Sequence, residues 1–402
     1  MHSVRNSTLI ALFAVLARAQ APIEKPADAK VVEQAIDDPS PGKQLTCQVR
    51  NLPAVLNFAF RFELRYIVDC SLAQFEGRPS QIVSYIRVKP RGRSAIILGD
   101  RFRLPEMPTN RREAFRWNRF HEQAEWSGVF TAGEGEYPVD LLVMDDRGRL
   151  FRKSWKEKAQ LHGKERMVHV AMTPNTAASA SVMFWSDNPD VREKGPRIDV
   201  LLDAAPVFPK EMSLRAWDRA FLMNSLSSLL RTLHPDSVRV TGFNLDQQRE
   251  FFEEENFTPH SFRKLFRSLQ QLELGSVSYR NLRQGGWSEM LTNLITTETK
   301  RDNRPEAIIF LGPSARILDK LPRQMLSSSC ENGGPPIFYF KFSALPGNEF
   351  PDAIHHLTNA CHGTVFTLHN AGDFAEAITK MQRKIRPELA RGSTPAVNEQ
   401  VP

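Results

Sequence analysis

The sequence predicts a two-domain chain: an immunoglobulin-like β-sandwich, then an α/β domain on a mostly parallel sheet. Three observations carry that expectation. From Leu45 to Trp185, short apolar or alternating runs recur between turn residues, the spacing of an antiparallel sandwich. Residues 186–196, SDNPDVREKGP, hold charge, proline and glycine without a buried face, and read as a linker. Beyond it Ala216, Ala220, Phe221, Met223, Leu226, Leu229, Leu230 and Leu233 fall at helical spacing between the runs RIDVLLD and SVRVTGF. A strand, a crossover helix and a second strand build a parallel sheet.

Taken in order, Met1 to Ala19 has the layout of a secretory signal: basic Arg5, an apolar run from Leu9 to Ala17, and a small-x-small site at Ala17, Arg18 and Ala19. That run is shorter than the roughly 20 residues a membrane span needs, so the mature chain is expected to carry no transmembrane helix. Residues 20–43, rich in Pro, Ala, Asp and Lys, read as a flexible leader. The sandwich is placed at 44–185, with strands at LTCQV, FAFRFELRYIVDC, IVSYIRV, SAIILG, GVFTAG, YPVDLLVMD, RLFRKSW, VHVAM and ASVMFW. Its clearest hairpin turns at Asp146, Arg147 and Gly148, where glycine supplies the positive φ. Asn110 to Gln123 reads as a helix-compatible or loop insertion.

The α/β domain is placed at 197–387. After RIDVLLD and SVRVTGF, QREFFEE reads as an edge strand and Ser261 to Leu272 as an amphipathic helix. Trp287 to Thr297 is a further helix, AIIFLG and PIFYFKF are buried strands, and Pro351 to Ala360 is a helix. TVFTL is the last strand before a helix from Asp373 to Ile385, and residues 388–402 read as a disordered tail.

Composition narrows the partners. The chain has a formal net charge of +7, which falls to +5 once Arg5 and Arg18 leave with the signal. The surplus is local: Arg87, Lys89, Arg91, Arg93, Arg101, Arg103, Arg111, Arg112, Arg116 and Arg119 stand against Asp100, Glu106 and Glu113. Such a field suits an anionic envelope component, whereas an exported chain has little occasion to meet nucleic acid. Four cysteines in an exported chain read as two disulfides, although four free thiols are the alternative. Of the three connectivities the domain boundary favours Cys47 with Cys70 and Cys330 with Cys361.

The order of elements, with RIDVLLD, SVRVTGFNLDQQREFFEEENFTP, AIIFLGPS, PIFYFKF and FPDAIHHLTNACHGTVFTLHNAGDFAEAITKM at its corners, resembles a von Willebrand factor type A domain. With an exported sandwich ahead of it, the chain is similar to secreted acidobacterial proteins of that kind. The resemblance covers about half the chain. It implies a Rossmann-like three-layer core and a divalent ion held by an Asp-x-Ser-x-Ser corner, a Thr and a further Asp. Here the corner runs Asp203, Ala204, Ala205, Pro206 and Val207; Ser276 or Ser278 could stand for the Thr, and Gly312 and Pro313 lie where the second acid belongs. One carboxylate and one hydroxyl fall short of the near-octahedral oxygen shell that Mg²⁺ requires. The metal site is therefore read as degenerate, and no cofactor is expected.

Other chemistry has weaker signals. His355, His356, Cys361 and His362 are dense in soft ligands but not at zinc spacing. Ser314 lacks the second glycine of a nucleophile elbow. The glycines of GEGEY and ENGGPP do not follow a strand and open a helix, as a phosphate cradle would. The expectation is thus a secreted or periplasmic bacterial protein that binds a protein partner without catalysis, through the sheet edge of Asp203, Ala205, Phe243, Ser278 and Gly312. A periplasmic hydrolase with an unrecognised site is the alternative.

Overall fold

A computed structural model of the chain describes residues 20–386, except 24, 39, 41, 76–79, 105–122, 181–194, 209–212, 275–285, 302, 323–329, 331–333, 344–346 and 348–349. The chain forms two compact units. The first comprises the described residues of Met1–Val55, Phe62–Gln160 and Met172–Ser181, and the second those of Leu56–Arg61, Leu161–Ala171 and Val182–Pro402.

The first unit is built from β1 (Ala21–Pro22), α1 (Pro26–Asp37), β2 (Cys47–Leu56), β3 (Phe62–Ser71), β4 (Ser80–Val88), β5 (Ile96–Leu104), β6 (Gln123–Ala132), β7 (Gly135–Asp145), β8 (Leu150–Ala159) and β9 (Ala177–Ser179). One sheet has the order β1-β5-β4-β7-β8 and the other β2-β3-β6-β9. Alternation sets what faces inward: Phe62, Leu64, Tyr66, Val68 and Cys70 of β3 are all buried. Across the sheets Tyr66 meets Trp155 at 5.7 Å and Phe102 meets Trp126 at 4.9 Å between ring centroids. The β7–β8 hairpin turns at Gly148 with φ +73°. Asp145 ties that turn by accepting from the Arg147 and Arg149 N–H groups at 3.0 and 2.8 Å.

The second unit contains β10 (Arg197–Asp203), α2 (Ala216–Leu233), β11 (Ser237–Asn244), β12 (Arg249–Glu254), α3 (Pro259–Gln271), α4 (Gly286–Thr299), β13 (Ala307–Pro313), β14 (Ile337–Phe342), α5 (Ala353–Ala360), β15 (Thr364–Leu368) and α6 (Ala371–Ile385). Its sheet has the order β12-β11-β10-β13-β14-β15. β12 runs antiparallel to β11, and the remaining pairs are parallel. One face buries Leu201, Phe243, Ile308, Phe310, Ile337 and Tyr339 beneath Leu291, Leu294 and Ile295 of α4 and Ile354 and Leu357 of α5. On the other face Phe340 packs edge-on against Phe374 of α6, at 5.7 Å.

These pairings correct the expected fold class. Antiparallel ladders predominate over the chain: the paired strands of the first unit are antiparallel, and the sheet of the second is mixed. The mixing has a local cause, since Gln248 adopts φ +50° and turns the chain back along β11. The chain is therefore a β-rich protein of two antiparallel sheets and one mixed sheet, and its second unit is not a Rossmann-like parallel core of the von Willebrand type A kind.

Three local expectations also change. Residues 20–43 are not a featureless leader: β1 pairs with β5, and α1 is anchored by Asp37, which takes two hydrogen bonds from Arg87 at 2.6 and 2.8 Å. VHVAM is not a strand; a 3-10 turn at Gly163–Met167 precedes it, and Leu161–Ala171 belongs to the second unit. So does the β2–β3 turn, where Phe58 lies 4.8, 5.3 and 5.5 Å from Phe221, Phe342 and Phe374. The signal segment, the 110–123 insertion up to residue 122, nearly all of the 186–196 linker and the tail fall outside the described residues.

Candidate carboxyl edge of the mixed sheet

β10 ends at Asp203, opposite Phe243 of β11, and β13 runs beside it. The turn after Asp203 is held by backbone and side-chain bonds: Ala204 N–H donates to Phe243 O at 2.8 Å and Asn244 Nδ2 to Ala204 O at 2.7 Å. Asp218 of α2 accepts from the Val207 and Arg215 N–H groups at 3.1 and 2.8 Å, closing the loop onto the helix start. A Cβ on Gly312 would lie 2.8 Å from the Asp203 carbonyl oxygen and 2.9 Å from its Cβ, so only glycine lets β13 approach this corner.

Asp203 is 1% exposed, and neither carboxylate oxygen accepts a hydrogen bond of normal geometry. Burial holds its carboxyl well above the ordinary carboxylate range, and Asp246 and Asp352 push in the same direction. The Leu245 N–H and the Arg316 charge offset this only in part. Burial thus favours the neutral form of this carboxyl. Asp246 is raised as well, by burial, despite an ion pair with Arg316 at 3.3 Å.

Asp352 solves the same problem differently. It caps α5 by accepting from the His355 N–H at 2.9 Å, and its other oxygen accepts from Ser314 Oγ, Ala315 N and Tyr339 Oη at 3.0, 3.1 and 3.2 Å. The buried Lys341 ammonium lies 3.3 Å from it and donates to Phe350 O at 2.6 Å. Burial, with Asp352 and Asp203 adding to it, raises the Tyr339 phenol well above its ordinary value. These residues form a saturated buried network.

The expected contact residues Asp203, Ala205, Phe243 and Gly312 come together here, and all are buried; Ser278 lies outside the described residues. What reaches solvent beside them is Phe208, in the loop after β10, and Trp217, in the first turn of α2. Their rings are 5.6 Å apart, and they are 43% and 38% exposed. Sequence reasoning missed this pair. The signal available was an aromatic directly after an apolar corner. Among the described residues no cluster of His, Cys, Asp or Glu could hold a metal ion.

The opposite end of the same sheet holds a second charged cluster. Arg239 of β11, 6% exposed, reaches Glu253 at 2.6 Å, Glu298 at 3.3 Å and Glu255 at 3.5 Å. Arg301 also pairs with Glu255. Asp199 and Glu298 are hydrogen-bonded to each other. Burial, reinforced by Asp199, pushes Glu298 up to about 8, and burial raises Asp199 too. One proton is shared by two carboxyls in the interior.

The basic stretch is less open than its composition implied. Arg87 is buried and neutralised by Asp37 and Asp140, and Lys89 pairs with Asp140 at 2.9 Å. Arg91, Arg93, Arg101 and Arg103 are exposed. Arg111, Arg112, Arg116 and Arg119 lie outside the described residues. Both expected cysteine pairs are bonded, Cys47–Cys70 and Cys330–Cys361, with Cα separations of 4.2 and 4.8 Å. Two disulfides place the chain in an oxidising, extracytoplasmic setting. No helix of the described residues is long and apolar enough to cross a membrane.

No family model matches the chain and no curated protein matches it. Solved structures similar to parts of it include a lipoprotein from Bacteroides thetaiotaomicron, at 11% identity over 33% of this chain and 95% of that one, with TM-score 0.18. A glycosyl hydrolase family 2 member from Bacteroides cellulosilyticus matches at 11% identity over 78% of this chain and 37% of that one, with TM-score 0.19. Bacteroides uniformis β-glucuronidase 2 matches at 8% identity over 85% and 38%, again with TM-score 0.19. The chain thus spans well under half the length of those two enzymes. At these scores none of the three bears on fold or activity.

Proposed function

We propose that the chain is an exported, secreted or periplasmic binding protein without catalysis, which grips a protein partner through the carboxyl edge of its mixed sheet and needs no metal to do so. The single observation carrying this reading is the exposed aromatic pair Phe208 and Trp217, 5.6 Å apart, in the segment that follows the buried corner at Asp203. Aromatic side chains are enriched where interfaces bind most tightly, and two of them left in solvent side by side suit such a contact. The hydrolase reading needs titratable groups that a substrate can touch, and Asp203, Asp352, Lys341 and Tyr339 all lie beneath the surface. Exposed Arg91, Arg93, Arg101 and Arg103 leave room for an anionic envelope component as a further contact.

The test is capture from a native envelope fraction with the disulfide-intact chain. Trp217→Ala is expected to weaken capture at least tenfold, a loss of about 1.4 kcal/mol or more, while a chelator leaves it unchanged. Capture that survives Phe208→Ala with Trp217→Ala, or that disappears with chelator, would overturn the proposal.

A further inference from the structure

We propose that β15 is a self-association edge, at which a second copy of this chain pairs antiparallel and joins two mixed sheets into one. Leu368 accepts from the Ser343 N–H at 2.9 Å, so its backbone faces β14. By alternation Thr364 and Phe366 also face β14, and Val365 and Thr367 turn their N–H and C=O groups outward. Among the described residues no strand lies on that side.

Exposed sheet edges invite pairing, and natural chains blunt them with charge, proline or extreme shortness. The other described edges follow that practice. β12 carries Arg249, Glu250, Glu253 and Glu254, and β8 carries Arg152, Lys153, Lys156, Glu157 and Lys158. β2 has Arg50 and Pro53, while β1 and β9 span only 2 and 3 residues. β15, TVFTL, is 5 residues long with neither charge nor proline. Thr364, Val365, Phe366 and Thr367 are each only half-buried, although Phe366 stacks on Phe338 at 6.3 Å.

The occupant is a second copy because the edge is complementary to itself. An antiparallel pair centred on Phe366 sets Val365 opposite Thr367 of the other copy, and both outward N–H and C=O groups of each then find partners. The two-fold axis of such a pair is perpendicular to the sheet, so the two α6 helices lie on the same face, side by side and antiparallel. The Thr364 end of the strand is marked by Lys384, whose ammonium is 2.7 Å from Thr364 Oγ. The Leu368 end is marked by Asp373, which accepts from the His369 N–H at 3.2 Å, with Glu376 one turn further on. Antiparallel pairing therefore sets the Lys384 end of one α6 beside the Asp373 end of the other, where Asp373 and Glu376 also pair with Lys164 of their own chain at 3.1 and 3.6 Å.

Sedimentation of the full disulfide-bonded chain over about a hundredfold range of concentration is expected to show a monomer–dimer equilibrium. Thr367→Pro removes only an outward donor, a change edge strands tolerate. It is expected to weaken the dimer by roughly a hundredfold, for two lost hydrogen bonds and the clash of the ring, with an unchanged circular dichroism spectrum. A chain that stays monomeric, or a dimer indifferent to Thr367→Pro, overturns the proposal. If the variant does not fold, hydrogen exchange on the unaltered chain decides: the amides of Val365 and Thr367 must slow as concentration rises, and exchange independent of concentration rejects the edge.

Discussion

The proton shared by Asp199 and Glu298 makes stability depend on pH in a definite direction. Glu298 titrates near 8 in the folded chain against an ordinary value of 4.5. Between those values the unfolded chain has released the proton and the folded chain still holds it, so stability falls as pH rises through that window. Glu298→Gln keeps the shape and the hydrogen bond to Asp199 while removing the group that must stay neutral. The whole shift would correspond to about 5 kcal/mol at pH 8. Arg239 and Arg301 beside the pair, and relaxation of Asp199 once its neighbour is neutral, reduce the expected gain to ~2 kcal/mol. For a unit of this size that is a rise in Tm of about 4–8 °C. Thermal unfolding of both proteins at pH 5 and pH 8 tests it: the difference must be near zero at the lower pH and fully developed at the higher. A variant that is equally stabilised at both, or destabilised at pH 8, would show that the carboxyl pair does not hold its proton.

Four further outcomes are expected. Gly312→Ala must move β13 away from Asp203, and should cost ~2 kcal/mol in a denaturant titration; a neutral result would mean the corner has slack. Arg87→Ala removes the buried guanidinium that joins Asp37 to Asp140 and leaves Asp140 with Lys89 and Ser154; it should cost ~1 kcal/mol, with α1 exchanging its amides faster than before. Reducing Cys330–Cys361, separated by 31 residues, should cost ~3 kcal/mol, and addition of Mg²⁺ or Ca²⁺ should leave Tm where it was, whereas a rise abolished by Asp203→Ala would restore a metal-dependent reading.

Much of the local structure could be read from short-range pattern. The period-two alternation of FELRYIVDCS marks β3, the helical spacing from Ala216 to Leu233 marks α2, and Gly148 marks its turn. These features are legible because each arises from neighbours along the chain. Helix α1 was not, since its anchor is Arg87, fifty residues further on and apparently free in the sequence. The same long-range pairing removed Arg87 and Lys89 from the basic patch. Strand direction was legible only in part: the hairpin reversal at Gln248 and the antiparallel ladders of the first unit make the class β-rich and mixed, where order of elements alone suggested a parallel core.

By itself the sequence determined the strands and helices with strong periodicity and favoured the two cysteine pairs that form, because each depends on residue type and spacing. Only the tertiary structure decided which charges survive. It buried Asp203 without a hydrogen bond of normal geometry, surrounded Asp352 with donors, set Glu298 against Asp199, and left Phe208 and Trp217 in solvent. The physical reason is that the cost of a charge is set by the water it loses and the partners it gains, and both are properties of the folded arrangement.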